Sequence, residues 1–357
     1  MHLFVIANTE SIHTQKILQY IFSQGHRVDV IGFDRGQIEG IQTHYIQTPR
    51  LLKSRKLKYL YSIYSTKKIL KKTKPDILLS IYLIGPGGLG AACNFHPFVI
   101  MAMGSDVLLE MKKSLFHRII TKFTIQRADR FVSVAHHIAD GLKKRGVLEE
   151  NIFMNPIGID TNLFALSEDE SKGEKFQIVS TRELYPLYNV KQFADSLPIV
   201  SKKLSELNVV IIGNGIESKS IKSKIVKDGL EKKVKFTGRV TRAELISHLK
   251  QSHVFVSMAL SDGAPVSLFE AMSCGCFPIL SDIPANRAWI QDGKNGYLIP
   301  IGDHIRLAER IIDAANDLSF LKKARRINRQ IVVDQLEFSL TMDNLIKYFD
   351  SILHKHE

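Results

Sequence analysis

The chain has 357 residues, enough for two domains at about 150 residues each, and its 45% hydrophobic and 24% charged content suits a globular protein with two cores. No stretch approaches the ~20 uncharged apolar residues that a bilayer crossing needs, and the opening MHLFVIAN lacks a basic n-region, so it reads as a core strand and not a signal peptide. The net charge is +13, and the three cysteines, Cys93, Cys274 and Cys276, have no zinc-ligand spacing and read as reduced thiols of a cytoplasmic protein.

Strand-length apolar runs stand at residues 3–7, 28–32, 77–82, 98–103 and 131–134, with amphipathic stretches at 14–24, 115–127 and 138–144 between them. This alternation predicts a mostly parallel sheet with helices on both faces. Ten of the positive charges fall between Arg50 and Lys74, where no Asp or Glu occurs, leaving about +3 for the rest of the chain. On a helix, Leu57, Leu60, Tyr61 and Tyr64 share one face of that segment. A basic helix with an aromatic and apolar face suits an anionic membrane surface; the alternative is a solvated helix face. Nucleic acid fits less well, because no recognition motif accompanies the charge.

Next comes Gly85-Pro86-Gly87-Gly88-Leu89-Gly90, which follows a strand and satisfies G-x-G-x-x-G. That pattern invites a dinucleotide site with Asp106 as ribose partner. Three features weigh against it: Pro86 inside the turn, a strand that is not the first of its domain, and an acid that comes early. The milder reading is a glycine-rich turn that lets a ligand or the opposite domain approach closely.

A polar stretch at 167–175 reads as a linker, after which strand-like runs restart at 178–180, 208–212, 234–236, 254–258 and 277–280. The chemistry concentrates at Ser261-Asp262-Gly263-Ala264-Pro265-Val266-Ser267-Leu268-Phe269-Glu270. Pro265 suits the first turn of a helix and Gly275 its stop, implying about three turns. The helix start near Val266 and Ser267 has free N–H groups and a partial positive charge, which bind phosphate. Glu270 lies one turn further on and Asp262 precedes the helix. Spacing alone leaves two readings: carboxylates gripping hydroxyls on either side of a pyrophosphate, or a helix cap and a surface residue. The final amphipathic segment, 336–353, is long enough for one helix.

The Asp262 to Glu270 segment resembles the acid-x7-Glu motif of the family-4 retaining glycosyltransferases, which have the GT-B fold. Further matches stand in order along the chain. Asn155-Pro156-Ile157-Gly158-Ile159-Asp160 resembles the hinge pNGiD, and Ile211-Ile212-Gly213-Asn214-Gly215 resembles iiGdG. Val234-Lys235-Phe236-Thr237-Gly238-Arg239-Val240 and Asp292-Gly293-Lys294-Asn295-Gly296-Tyr297-Leu298 complete the set, which covers residues 125–300 most strongly.

The resemblance implies an α/β protein of two facing Rossmann-like doubly wound domains with an interdomain cleft. An acceptor-side domain would span 1–165 and a nucleotide-sugar domain 166–335, and a helix at 336–357 would pack back on the first. Glu270 would bond the donor ribose, and Asp262 the transferred sugar, although the family usually has the longer Glu there. Gly263, Ala264, Pro265, Val266 and Ser267 would line the sugar and diphosphate, with Gly213, Gly238 and Arg239 also on the donor side. Arg182 would neutralise the leaving diphosphate. Tyr188 stands where many members have a lysine; either Lys191 reaches back to replace it, or Arg182 works with the helix end alone. His13, Ser105 and Asp106 would face acceptor or sugar, His13 having the alternative of a local cap.

The implied reaction is retaining, without a covalent sugar–enzyme intermediate. It needs no metal, since Arg182 and the helix end supply the positive charge and no D-x-D triad occurs, and no cofactor beyond the nucleotide-sugar co-substrate, UDP-linked in most relatives. The acceptor would be a saccharide or a polyprenyl-linked glycan in surface polysaccharide or glycolipid synthesis, built at the inner face of the cell membrane by a peripheral cytoplasmic enzyme. Two competing readings share the architecture: a sugar-nucleotide epimerase and a non-catalytic partner subunit.

Overall fold

The computed structural model describes residues 1–49, 54–108, 114–166, 172 and 175–354. The chain divides into two compact units. The N-terminal unit is Met1–Pro156 with Leu340–Glu357, and the C-terminal unit is Ile157–Ser339.

In the N-terminal unit seven strands form one parallel sheet: β1 (His2–Ile6), β2 (Arg27–Gly32), β3 (Gln42–Tyr45), β4 (Ile77–Ile81), β5 (Phe98–Ala102), β6 (Arg130–Ser133) and β7 (Ile152–Met154). Their order is β3-β2-β1-β4-β5-β6-β7, so the winding reverses between β1 and β4. Every residue of β4 and β5 is buried, which is why the central strands read as unbroken apolar runs. The edge strands β3 and β7 have no fully buried residue and no such run, and periodicity does not predict them. The helices are α1 (Ile12–Ser23), α2 (Arg55–Thr73), α3 (Pro86–Cys93), α4 (Ser105–Leu108), α5 (Leu115–Arg127) and α6 (His136–Lys143).

The motif that resembled a dinucleotide site proves to be helix packing. A Cβ on Gly88 would stand 3.1 Å from Ile120 of α5 and 3.1 Å from the Tyr59 hydroxyl of α2. One on Gly90 would stand 2.6 Å from the Phe98 ring and from Ser80 Oγ in the sheet. At Gly88 and Gly90 the missing side chains bring neighbouring helices and the sheet of the same unit close to α3.

The C-terminal unit carries a second parallel sheet: β8 (Gln177–Ser180), β9 (Asn208–Ile212), β10 (Val234–Gly238), β11 (Val254–Ser257), β12 (Phe277–Ser281) and β13 (Tyr297–Ile299). The order β10-β9-β8-β11-β12-β13 puts its switch point between β8 and β11. Around it pack α7 (Val190–Lys203), α8 (Ser218–Lys227), α9 (Arg242–Gln251), α10 (Val266–Ser273), α11 (Pro284–Arg287), α12 (His304–Asn316) and α13 (Leu318–Leu336). One apolar cluster joins Phe193 and Leu197 of α7 and Leu307 and Ile311 of α12 to one face of the sheet, and another joins Leu268, Phe269 and Met272 of α10 to the other.

The last helix, α14 (Phe338–Leu353), starts two residues later than the sequence suggests. At the break, the Ile159 N–H donates to the Leu336 carbonyl at 2.8 Å and the Phe338 N–H to the Ile159 carbonyl at 2.9 Å, while the Glu337 carboxylate accepts from Thr161. Ile159 and Phe164 lie in the second core, so the chain leaves the first unit at Pro156, ahead of the 165/166 boundary expected. The C-terminal residues return to the first unit, where Tyr348 stacks on Phe153 at 4.2 Å and the Tyr20 hydroxyl bonds Asp343 at 2.8 Å. Among the described residues no helix is long and apolar enough to cross a membrane.

Candidate active site

In open parallel sheets, ligands bind beyond the carboxyl ends of the strands where the winding reverses. In the C-terminal unit that place is set by the loops after β8 and β11. The β8 loop carries Arg182 and ends in a 3-10 turn at Pro186–Tyr188; the β11 loop carries Asp262 and runs into α10.

Helix α10 is eight residues, shorter than the three turns expected, and Pro265 stands at the cap position instead of inside the first turn. No side chain caps it, so the helix start keeps its partial positive charge for an incoming anion. Leu268, Phe269, Ala271 and Met272 anchor the helix in the core. Glu270 is half-buried on the face it shares with Val266 and Ser267.

Arg182 is held on three sides. Nη1 donates to Ser267 Oγ at 2.8 Å, Nη2 pairs with Asp262, and the guanidinium carbon lies 4.9 Å from the centre of the Tyr188 ring. The side chains of Arg182 and Asp262 are only 12% and 16% exposed, which places this pair well below the surface. Nε is buried and has no hydrogen-bond partner among the described residues, so the fork keeps at least this donor unspent. A planar fork fixed by a carboxylate, a hydroxyl and an aromatic face keeps its orientation when an anion arrives.

Lys191 does not join this group. Its ammonium pairs with Asp195 at 2.6 Å along α7, and Asp195 also takes Lys224 at 3.3 Å. Tyr188, not Lys191, contacts the arginine. Gly213 and Gly238 meet through a hydrogen bond from the Gly213 N–H to the Gly238 carbonyl at 2.9 Å. A Cβ on Gly215 would come 2.1 Å from the Leu184 carbonyl, so this turn lies directly against the backbone that carries Arg182. Arg239 is exposed and donates to Glu183 Oε1 at 3.1 Å, while Glu183 Oε2 accepts the Asn214 N–H at 2.9 Å. Glu183 thus ties the β8, β9 and β10 loops together. Spacing along the sequence assigns it no role; the available signal was an acid beside Arg182 and an arginine just after another strand.

Asn295, in the last matched motif, is structural: its amide bonds the Trp289 carbonyl at 3.0 Å and Asn328 at 2.8 Å. The N-terminal candidates lie in the other unit. Ser11 caps α1, and His13 follows it in the first turn, exposed by area, although crowding and then the Lys16 charge hold its imidazole below the usual histidine pKa. Ser105 is exposed. Asp106 does not face solvent: it is 1% exposed, and its carboxylate accepts the Leu83 and Gly104 N–H groups at 2.8 Å each. Burial raises its pKa against those bonds. It staples its own loop, in place of the acceptor contact expected. A cavity of ≈ 380 Å³ also opens in this unit beside α2, lined by Tyr45, Gln47, Tyr61 and Ile69 among others, and none of the Arg182 group belongs to it. Among the described residues no group of three or more His, Cys, Asp or Glu is placed to hold a metal ion.

The second of two doubly wound units sets an arginine and an uncapped helix start at its switch point, a place in such sheets suited to holding a phosphate group. The family described as glycosyl transferases group 1 matches residues 165–331, and that described as glycosyl transferase 4-like matches residues 2–135. The chain belongs to the group 1 glycosyl transferases and has their GT-B fold.

It is 31% identical over 140 residues to the UDP-N-acetylglucosamine–peptide N-acetylglucosaminyltransferase GtfA subunit of Streptococcus pneumoniae, a match covering 38% of this chain and 27% of that protein. It is 25% identical over 281 residues to the UDP-Gal:alpha-D-GlcNAc-diphosphoundecaprenol alpha-1,3-galactosyltransferase of Escherichia coli, covering 73% and 72%. The crystal structure of Anabaena HepE in complex with UDP and glucose matches with a TM-score of 0.81 and 15% identity, over 98% of this chain and 100% of that one. The chain spans only 27% and 33% of the length of the first two curated relatives it matches.

Proposed function

We propose that this protein transfers a sugar from a UDP-sugar to a saccharide or lipid-linked acceptor, with retention of configuration and without a metal. The observation that carries the proposal is the Arg182 fork, fixed by Asp262, Ser267 and Tyr188 at the uncapped start of α10. The name of the Escherichia coli relative supports a diphosphoundecaprenol-linked acceptor, and the UDP and glucose bound by HepE support the donor.

The diphosphate sits on the α10 start, with Arg182 Nε and the fork turned to its oxygens. As the bond from the sugar anomeric carbon to the diphosphate breaks, its electron pair leaves with the diphosphate, and the charge that develops there meets donors already in place. The acceptor hydroxyl attacks the oxocarbenium-like carbon from the same face and yields its proton to the departing diphosphate oxygen. Glu270 holds ribose hydroxyls and Asp262 the sugar. Asp262 then exchanges part of its bond to Arg182 for the donor. The lysines of α2 hold the enzyme on an anionic inner membrane surface, where a lipid-linked acceptor is presented.

Arg182→Ala tests this. Turnover with the best donor of a nucleotide-sugar panel should fall about 10²- to 10³-fold, while UDP affinity measured by calorimetry changes far less. Unchanged kcat sinks the assignment. A donor converted to an epimer without acceptor would replace it with the isomerase reading.

A further inference from the structure

Two helices of the N-terminal unit are amphipathic the wrong way round. Helix α5 buries Thr121 and Thr124, while Leu115 and Phe116 stand 70% and 67% exposed, with Ile119 and Phe123 exposed beside them. These four fall at i, i+1, i+4 and i+8, one continuous stripe on the solvent side. Helix α2 repeats the pattern: Ser62 and Thr66 are buried, and Leu57, Leu60 and Tyr64 are exposed. The buried hydroxyls of Ser62, Thr66 and Thr121 are satisfied by carbonyls one turn back, at 2.8–2.9 Å. Both helices converge on Gly88, whose missing side chain admits Tyr59 from one and Ile120 from the other. Small residues therefore fill much of the inner face, with Leu70 buried and Ile120 half-buried beside them, while Leu57, Leu60 and Tyr64 of α2 and Leu115, Phe116, Ile119 and Phe123 of α5 point to water.

Exposed apolar side chains grouped in this way, unlike single ones, mark a surface with a partner. The charge around them says which kind. Neither helix contains an acid; α2 carries exposed Lys58, Lys67, Lys68, Lys71 and Lys72, and α5 carries exposed Arg118, Lys122 and Arg127. Protein interfaces are depleted in lysine at their centres, whereas an interfacial helix pairs a basic face with Leu and Phe at the level of the lipid headgroups.

We infer that α2 and α5 together form one membrane-docking surface, in which the Leu115, Phe116, Ile119 and Phe123 stripe of α5 enters an anionic bilayer interface and the α2 lysines supply the long-range attraction. This deepens the reading of α2 as an electrostatic contact and rests on it for that half alone. The α5 half makes a separate claim, because insertion of apolar side chains resists salt and lysine attraction does not.

Flotation of the full chain with phosphatidylcholine vesicles, with and without phosphatidylglycerol, at low and high ionic strength separates the two. Phe116→Ser combined with Ile119→Ser should weaken vesicle binding at least about tenfold at both ionic strengths, with melting temperature and UDP affinity unchanged. Replacing Lys67, Lys68, Lys71 and Lys72 by Gln should remove the preference for anionic lipid, about fivefold per lysine at low salt. If the α5 variant binds as the parent does while the lysine variant fails, the inference is overturned and the α2 reading stands. The reverse result leaves α5 as the sole anchor and overturns both the joint surface and the α2 reading. A parent dimer that the α5 substitutions convert to monomer, with vesicle binding untouched, would assign the stripe to a second copy and overturn the inference. A parent that binds no vesicle overturns the inference and the α2 reading together, and leaves the Arg182 site to its own test.

Discussion

Two glycine-bearing turns in this molecule look alike in sequence and do different things. In the N-terminal unit, Gly88 and Gly90 of α3 make room for the side chains of α2, α5 and the sheet. In the C-terminal unit, Gly213 and Gly215 make room for the backbone of residues 182–184, and so fix where Arg182 stands. A glycine pattern reports a close approach; only the identity of what approaches separates a packing device from a binding site.

That contrast can be broken by measurement. Gly215→Ala should have the largest effect, because its Cβ would meet a main-chain carbonyl that cannot turn aside. We expect about 1–3 kcal/mol of lost stability and, because the Arg182 segment must move, a loss of UDP affinity of about tenfold. Gly90→Ala should destabilise to a similar degree, by about 1–3 kcal/mol, but with UDP affinity unchanged. Weakened UDP binding there would mean that the α3 turn serves the site after all.

A third probe uses pH. His253 Nδ1 accepts the Gln177 N–H at 3.2 Å at the start of β8, so the ring is neutral in the fold. Burial, followed by the Lys172 and Arg325 charges, lowers its pKa from 6.5 to about 4. Between those values the unfolded chain binds a proton that the folded chain refuses, so this contribution to stability is complete above pH 6.5 and is lost as pH falls toward 4. Thermal melts of His253→Gln, which keeps an acceptor and does not titrate, should show a flatter acid limb than the parent. The smallest effect belongs to Glu183→Gln. Its loop ties are partly solvated, so a rise in donor KM of a few-fold with little change in melting is expected. A collapse in kcat would move Glu183 from positioning to chemistry.

How far the sequence carried the reading follows from what each residue depends on. Buried central strands such as Ile77–Ile81 are apolar throughout, and composition alone announces them. Gln42–Tyr45 is an edge strand with no buried side chain, and only its pairing with β2 makes it visible. Asp262 and α10 were legible because a local pattern, strand end then Pro then helix, sets them up, whereas Arg182 was legible only through the family resemblance. The Tyr188 ring under the guanidinium and the Glu183 tie join loops of different strands, and no spacing rule reports such neighbours. Helix α5 is the instructive failure. Its periodicity is plain at 115–127, yet periodicity does not say which face turns inward, and here threonine does.

The route of the chain at α14 also bears on how the molecule can be taken apart. The first unit owns a piece of the far terminus: Phe349 is fully buried there and Tyr348 stacks on Phe153. An expression fragment ending at Pro156 would leave that bed of side chains bare and should precipitate. A fragment in which residues 340–354 are spliced after Pro156 would restore the missing wall and give a first unit that can be purified and studied alone.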